Sequence, residues 1–165
     1  MGNPDRTGAS MELLKNGKVL YKISCVEMGQ GSQTSLMQIA SEASGIGIND
    51  YELIAGDTAN VPYGGHVSAS RGVFLWGHPT ILVGKQFKEL LLDKAKELLK
   101  VERRDIDLKD SKIISQKTGE ILMELDELAQ KSQDPLAIRD DYDMPNTVSV
   151  RWDTNEAYEI PEKGL

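Results

Sequence analysis

One cysteine, two histidines and a small set of aromatic residues place the first limits on this chain of 165 residues. The lone Cys25 excludes an intrachain disulfide and any Cys-x-x-Cys metal or iron–sulfur pattern. It lies in a β-like run and reads as a small buried hydrophobe; a reducing, cytoplasmic setting fits this usage. His66 and His78 stand in no metal-ligand spacing, and neither is taken as catalytic. Aromatics at 5% leave few surfaces on which bases stack. Positive charge is also short: 19 Lys and Arg against 26 Asp and Glu, a net charge of −7. Nucleic acid is therefore a poor partner, because phosphate binding needs clustered Lys and Arg. The one basic cluster, from Lys100 to Arg104, is interrupted by Glu102 and reads as a solvated helix end. No apolar run is long enough to cross a bilayer, and residues 1–10 are too polar for a signal peptide, so no membrane is expected.

What remains is an ordinary globular composition, 39% hydrophobic and 27% charged. Residues 9–14 and 19–27 read as two strands joined through Lys15-Asn16-Gly17-Lys18, since Asn-Gly favours a two-residue hairpin loop. From Ser32 to Ser44, Leu36, Ile39, Ala40 and Ala43 share one helical face, and Gly45 supplies the stop. Residues 51–55 read as a strand ending at Gly56-Asp57-Thr58, and a loop marked by Pro62 and Gly64-Gly65 follows. Phe87, Leu90, Leu91, Leu98 and Leu99 mark a longer helix ending near Lys100. Pro79 lies in its upstream extension, which predicts a kink or a late start. Residues 106–108, 112–115 and 121–123 read as short strands, with a turn at Lys117-Thr118-Gly119, and 125–130 as a brief helix. From Ser132 onward no period is visible. Residues 132–165 are expected to form an irregular acidic tail or a segment covered by a partner.

The densest chemistry lies in Val26-Glu27-Met28-Gly29-Gln30-Gly31-Ser32-Gln33-Thr34 and, some forty residues later, in Ser68-Ala69-Ser70-Arg71-Gly72. In the first, two glycines flank a glutamine between a strand and a helix. Glycine admits positive φ and lets a ligand approach the main chain. The first-turn amides of the helix favour anionic or strongly polar groups, and Gln30 can both donate and accept. A plain structural turn competes with this: Gln30 would then satisfy loop carbonyls, and Ser70 would cap the following helix. Asp57-Thr58 fits a turn better than an acid–base pair, and Asp140-Asp141 fits solvated surface.

The order Glu27-Met28-Gly29-Gln30-Gly31, Thr34, Gln38-Ile39-Ala40, Gly56-Asp57-Thr58, Pro62 and Ala69-Ser70-Arg71 resembles the molybdenum hydroxylases. That family includes xanthine dehydrogenase, aldehyde oxidase and aerobic carbon monoxide dehydrogenase. The likeness runs from about residue 8 to about residue 130 and is strongest from Glu27 to Gly72. It implies an α+β fold, a mixed sheet with packed helices, in which residues 1–131 form part of a molybdopterin-binding domain. It also implies that Met28, Gly29, Gln30 and Gly31 lie against the molybdopterin cofactor, with Ala69, Ser70, Arg71 and Gly72 as a second loop along it. Arg71 departs from the small residue of the animal enzymes. No catalytic side chain and no metal ligand is assigned within the chain.

The resemblance further implies a molybdenum-dependent oxidoreductase of which this is a split subunit or a fragment. The family's late Gly-Glu segment has no counterpart, for Glu159-Ile160-Pro161-Glu162 does not match it. The other pterin loops and the iron–sulfur and FAD segments are also missing, so turnover by this chain alone is not expected. The implied partners are the remaining subunits or domains of the hydroxylase, with a homo-oligomer as a further possibility. A different class stays open: a non-catalytic binding or assembly module that keeps the fold without the cofactor.

Overall fold

Alternation of inward Thr7, Ala9, Met11 and Leu13 with more exposed neighbours produces β1 (Arg6–Leu13), and Val19, Tyr21 and Ile23 do the same for β2 (Val19–Ile23). The computed structural model describes residues 6–67 and 70–143. β1 and β2 pair antiparallel, with Leu13 opposite Val19. Their connection is a longer loop than the expected two-residue one. Gly17 takes φ 82° and donates to the Leu14 carbonyl, while Leu14 donates to Lys18. β2 also ends four residues sooner than expected, because the chain leaves the sheet beyond Ile23 to enter the first glycine loop.

Helix α1 (Ser32–Ser44) buries Leu36 and Ala40 and stops at Gly45, whose φ is 77°. A short 3-10 turn leads into β3 (Tyr51–Ala55), which pairs parallel to β2. Next comes α2 (Gly72–Leu99), a single helix of 28 residues with Pro79 inside it. The expected late start is therefore wrong, and the reason is a distant partner. Proline removes the amide that would bond the carbonyl four residues back, at Leu75. The buried Thr7 hydroxyl, from β1, donates to that carbonyl at 3.0 Å. A Thr7→Val variant, which keeps the shape, is expected to lose about 1–3 kcal/mol in urea denaturation, the cost of stranding a buried acceptor.

β4 (Ile106–Lys109), β5 (Lys112–Ser115) and β6 (Ile121–Glu124) form a separate three-stranded antiparallel sheet, and α3 (Leu125–Lys131) follows as expected. The stretch after Ser132 differs from its reading: β7 (Ala137–Asp143) pairs antiparallel with β1 over seven residues. Its sequence, Ala-Ile-Arg-Asp-Asp-Tyr-Asp, lacks apolar alternation because it is a sheet edge, where charge discourages further pairing. Asp141 is no bare surface carboxylate, since Arg6 holds it at 2.9 Å; Asp140 accepts from Gln86. Residues 144–165 of the expected tail lie outside the described residues.

The larger sheet has the order β3-β2-β1-β7, with one parallel pair, and the fold is α+β. Its core joins Met11, Tyr21, Ile23, Trp76 and Phe87 from the sheet and α2 to Ile106, Leu108 and Ile113 of the small sheet. α1 and α2 pack closely because glycines face the shorter helix. A Cβ on Gly77 would stand 3.6 Å from Ile39, and one on Gly84 only 2.7 Å from the Ala43 Cβ. The contact order Ser32 with Gly72, Ile39 with Gly77 and Ala43 with Gly84 makes the two helices parallel, so both begin at the same end.

Candidate functional site

That shared end lies beyond the carboxyl ends of β2 and β3, the location at which open α/β sheets present ligand sites. Two helix N-termini meet there. Ser32 is buried, and a Cβ on the buried Gly72 would lie 3.7 Å from its hydroxyl oxygen. The end of the first glycine loop thus adjoins Gly72, the last residue of the second, and the two positive helix ends add at one point. Cys25 forms part of the floor: it is fully buried, and burial raises its thiol pKa, with a hydrogen bond to Ser32 acting in the opposite direction. Behind it, Trp76 of α2 donates its indole N–H to the Ser24 hydroxyl at 2.8 Å.

Positive φ requires glycine at two positions of the first loop: Gly29 has φ 97° and Gly31 φ 76°. The loop stands off the body, and no heavy atom lies within 4 Å of where a Cβ would be at either glycine. Its shape is held by two side chains. Glu27 accepts from the Gly29 and Gly31 amides with Oε1, each at 2.9 Å, and from Gln33 with Oε2 at 3.1 Å. These bonds, the one from Gln33 foremost, hold the Glu27 carboxyl below its ordinary pKa. Their contribution is present above the ordinary carboxylate range and is lost as pH falls through the lowered value.

Gln30 supplies the other half. Its Oε1 accepts from Met28 N–H at 2.6 Å, and its Nε2 donates to the Val26 carbonyl at 2.9 Å and to the Ser32 hydroxyl at 3.1 Å. Both amide hydrogens are therefore used inside the loop, while one acceptor lone pair stays available to the exposed side. Met28 is 74% exposed, which leaves its thioether side chain open to a ligand or a second surface.

Of the second loop, Ser68 and Ala69 lie outside the described residues. Ser70 is exposed at φ 58°. It does not cap the helix: the cap position belongs to Arg71, with no side-chain cap bond. Arg71 turns back along the preceding segment, so that a Cβ on Gly65 would lie 3.7 Å from its Nη2. Asp57 behaves as the turn reading expects, accepting from Ala59 N–H and the Asn60 amide. His78 stacks on Tyr142 at 4.5 Å and bonds the Phe74 carbonyl. Among the described residues no group of His, Cys, Asp and Glu is placed to hold a metal, and no helix is long and apolar enough to cross a membrane.

The residue that sequence reading passed over is Glu27. The available signal was a carboxylate two residues ahead of the first glycine, four ahead of the second and six ahead of Gln33, within reach of alternate amides of the turn.

The chain belongs to the molybdopterin cofactor-binding domain family, which matches residues 1–161. It is 30% identical over 146 residues, 88% of its length, to a probable xanthine dehydrogenase subunit of Bacillus subtilis (strain 168). Among solved structures its fold is like that of quinoline 2-oxidoreductase from Pseudomonas putida 86, with a TM-score of 0.71, 24% identity and 84% of this chain covered. It is equally like the Cu,Mo-CO dehydrogenase, with a TM-score of 0.71, 24% identity and 85% covered. The chain spans 19% of the length of each of these relatives.

Proposed function

We propose that this chain supplies one wall of the molybdopterin pocket of a xanthine dehydrogenase-like hydroxylase, with Met28 to Gly31 and Ala69 to Gly72 as the cofactor-facing loops. One observation supports the reading: α1 and α2 start side by side, with Ser32 against Gly72, so two positive helix ends point to one space. The chain's own donors and acceptors fit a polar, anionic cofactor there. Gln30 keeps an outward lone pair for a cofactor N–H, Met28 offers a polarisable apolar contact, and the α2 start carries no acidic residue. When bound, the molybdenum cofactor supplies the oxidation–reduction chemistry; these residues orient it and exclude water from its edge. Apolar side chains border this end, Val26, Met28, Tyr63, Val73 and Phe74, all exposed. They suit burial against the remaining subunits or domains of the hydroxylase.

One observation favours the second reading, a module without cofactor: Glu27 and Gln30 already satisfy the amides of the first loop. A native mass spectrum with metal analysis of the protein from its own cell separates the two. Larger companion chains with about one molybdenum per complex are expected under the one-site logic of a shared pocket. A lone chain without molybdenum would leave the module.

A further inference from the structure

Resting on the cofactor reading above, we propose that Glu27 is a positioning residue for Gln30: it holds loop 26–33 in shape so that Gln30 is free to exchange internal bonds for the cofactor. The loop has no packing at its two glycines, and apart from the Ser35 N–H bond to the Gly31 carbonyl its turn is held by side-chain bonds. These divide into two separable sets. Gln30 ties residues 26, 28 and 32, while Glu27 ties 29, 31 and 33. Of the groups that Gln30 would release on turning outward, the Val26 carbonyl and the Met28 amide sit on exposed residues and can pass to water, while the buried Ser32 hydroxyl keeps its hydrogen bond with Cys25. The backbone on both sides of Gln30 would still be tied, because Gly29 and Gly31 share one carboxylate oxygen of Glu27. Without Glu27 the roles reverse, and Gln30 becomes the last element keeping the loop closed. The Glu27 carboxylate is turned onto the amides of its own loop and the first turn of α1, which stabilise its charge.

The test uses the protein purified from its source cell with whatever chains accompany it, in wild-type, Glu27→Gln, Glu27→Ala, Gln30→Ala and double-alanine forms. Molybdopterin is quantified by the fluorescence of its oxidised pterin, and loop amides are followed by hydrogen exchange. Glu27→Ala is expected to lower molybdopterin occupancy about tenfold, the low end of what ligand-orienting partners are worth, and to speed exchange across residues 29–33. Glu27→Gln should fall between, because one carbonyl oxygen can still serve Gly29 and Gly31. Gln30→Ala should lower occupancy while exchange at 29, 31 and 33 stays slow, and the double variant should be no worse in occupancy than Glu27→Ala. Full molybdopterin in Glu27→Ala, or losses that add in the double variant, would overturn the positioning role. Wild-type protein free of molybdopterin would instead overturn the cofactor reading, and this inference with it.

Discussion

A Trp76→Ala variant is expected to lose about 3–5 kcal/mol of stability, the largest effect of any single truncation here. Trp76 is the largest fully buried side chain among the described residues, on the face of α2 that meets the sheet. Its loss opens a cavity bordered by the loop at Gly64, whose absent Cβ already lets the indole approach Ser24. The indole N–H also ties α2 to Ser24, next to the point at which β2 gives way to the first glycine loop. Truncation therefore removes packing and a site-directed hydrogen bond together. Trp76→Phe separates them: it keeps most of the volume and strands the Ser24 hydroxyl, for a loss of about 1 kcal/mol. Urea midpoints of the two variants measure the pair. A Trp76→Ala loss no greater than that of Trp76→Phe would mean that the packing term is absent.

Much of the fold is visible in local sequence because the elements concerned bury one face and expose the other. β1, β2 and α1 announce themselves by period, and Gly45 ends α1 where its positive φ is needed. The failures share a cause, which is that the deciding partner is remote in sequence. Pro79 leaves the Leu75 carbonyl without its helical amide, and Thr7 supplies the replacement hydrogen bond from 68 residues away. β7 has no hydrophobic alternation, and its pairing comes from β1, with Arg6 opposite Asp143. At the candidate site the glycine pattern was legible, and so was the possibility that Gln30 bonds its own loop. The role of Glu27 was not, because a carboxylate curling onto the amides ahead of it leaves no periodic trace. The adjacency of the two loops rests on helix packing through Gly72, Gly77 and Gly84, a spacing that reads as nothing until α1 is laid beside it.

Gly45→Ala is expected to cost about 3 kcal/mol, summing about 1–2 for an alanine forced to left-handed φ and 1–3 for overlap. The residue sits at φ 77°, and a Cβ there would run into the Leu108 carbonyl oxygen, backbone that cannot swing aside. It also accepts from Ser111 N–H at 3.3 Å, while Gly47 N–H reaches the Ser111 hydroxyl at 2.9 Å and that hydroxyl bonds Asp50. This corner therefore fastens the tip of the β4–β5 turn to the end of α1, and pushing it apart loosens the small sheet from the helix layer. Gly29→Ala is the matched control. Its φ of 97° carries a comparable backbone penalty, yet nothing lies within 4 Å of the added carbon. The control should lose only about 1–2 kcal/mol. Equal losses for the two variants, read from urea midpoints, would show that backbone conformation alone decides and that the Leu108 contact yields. A larger loss at Gly45, with faster hydrogen exchange in β4 and β5, would show that the joint between helix and small sheet carries the difference.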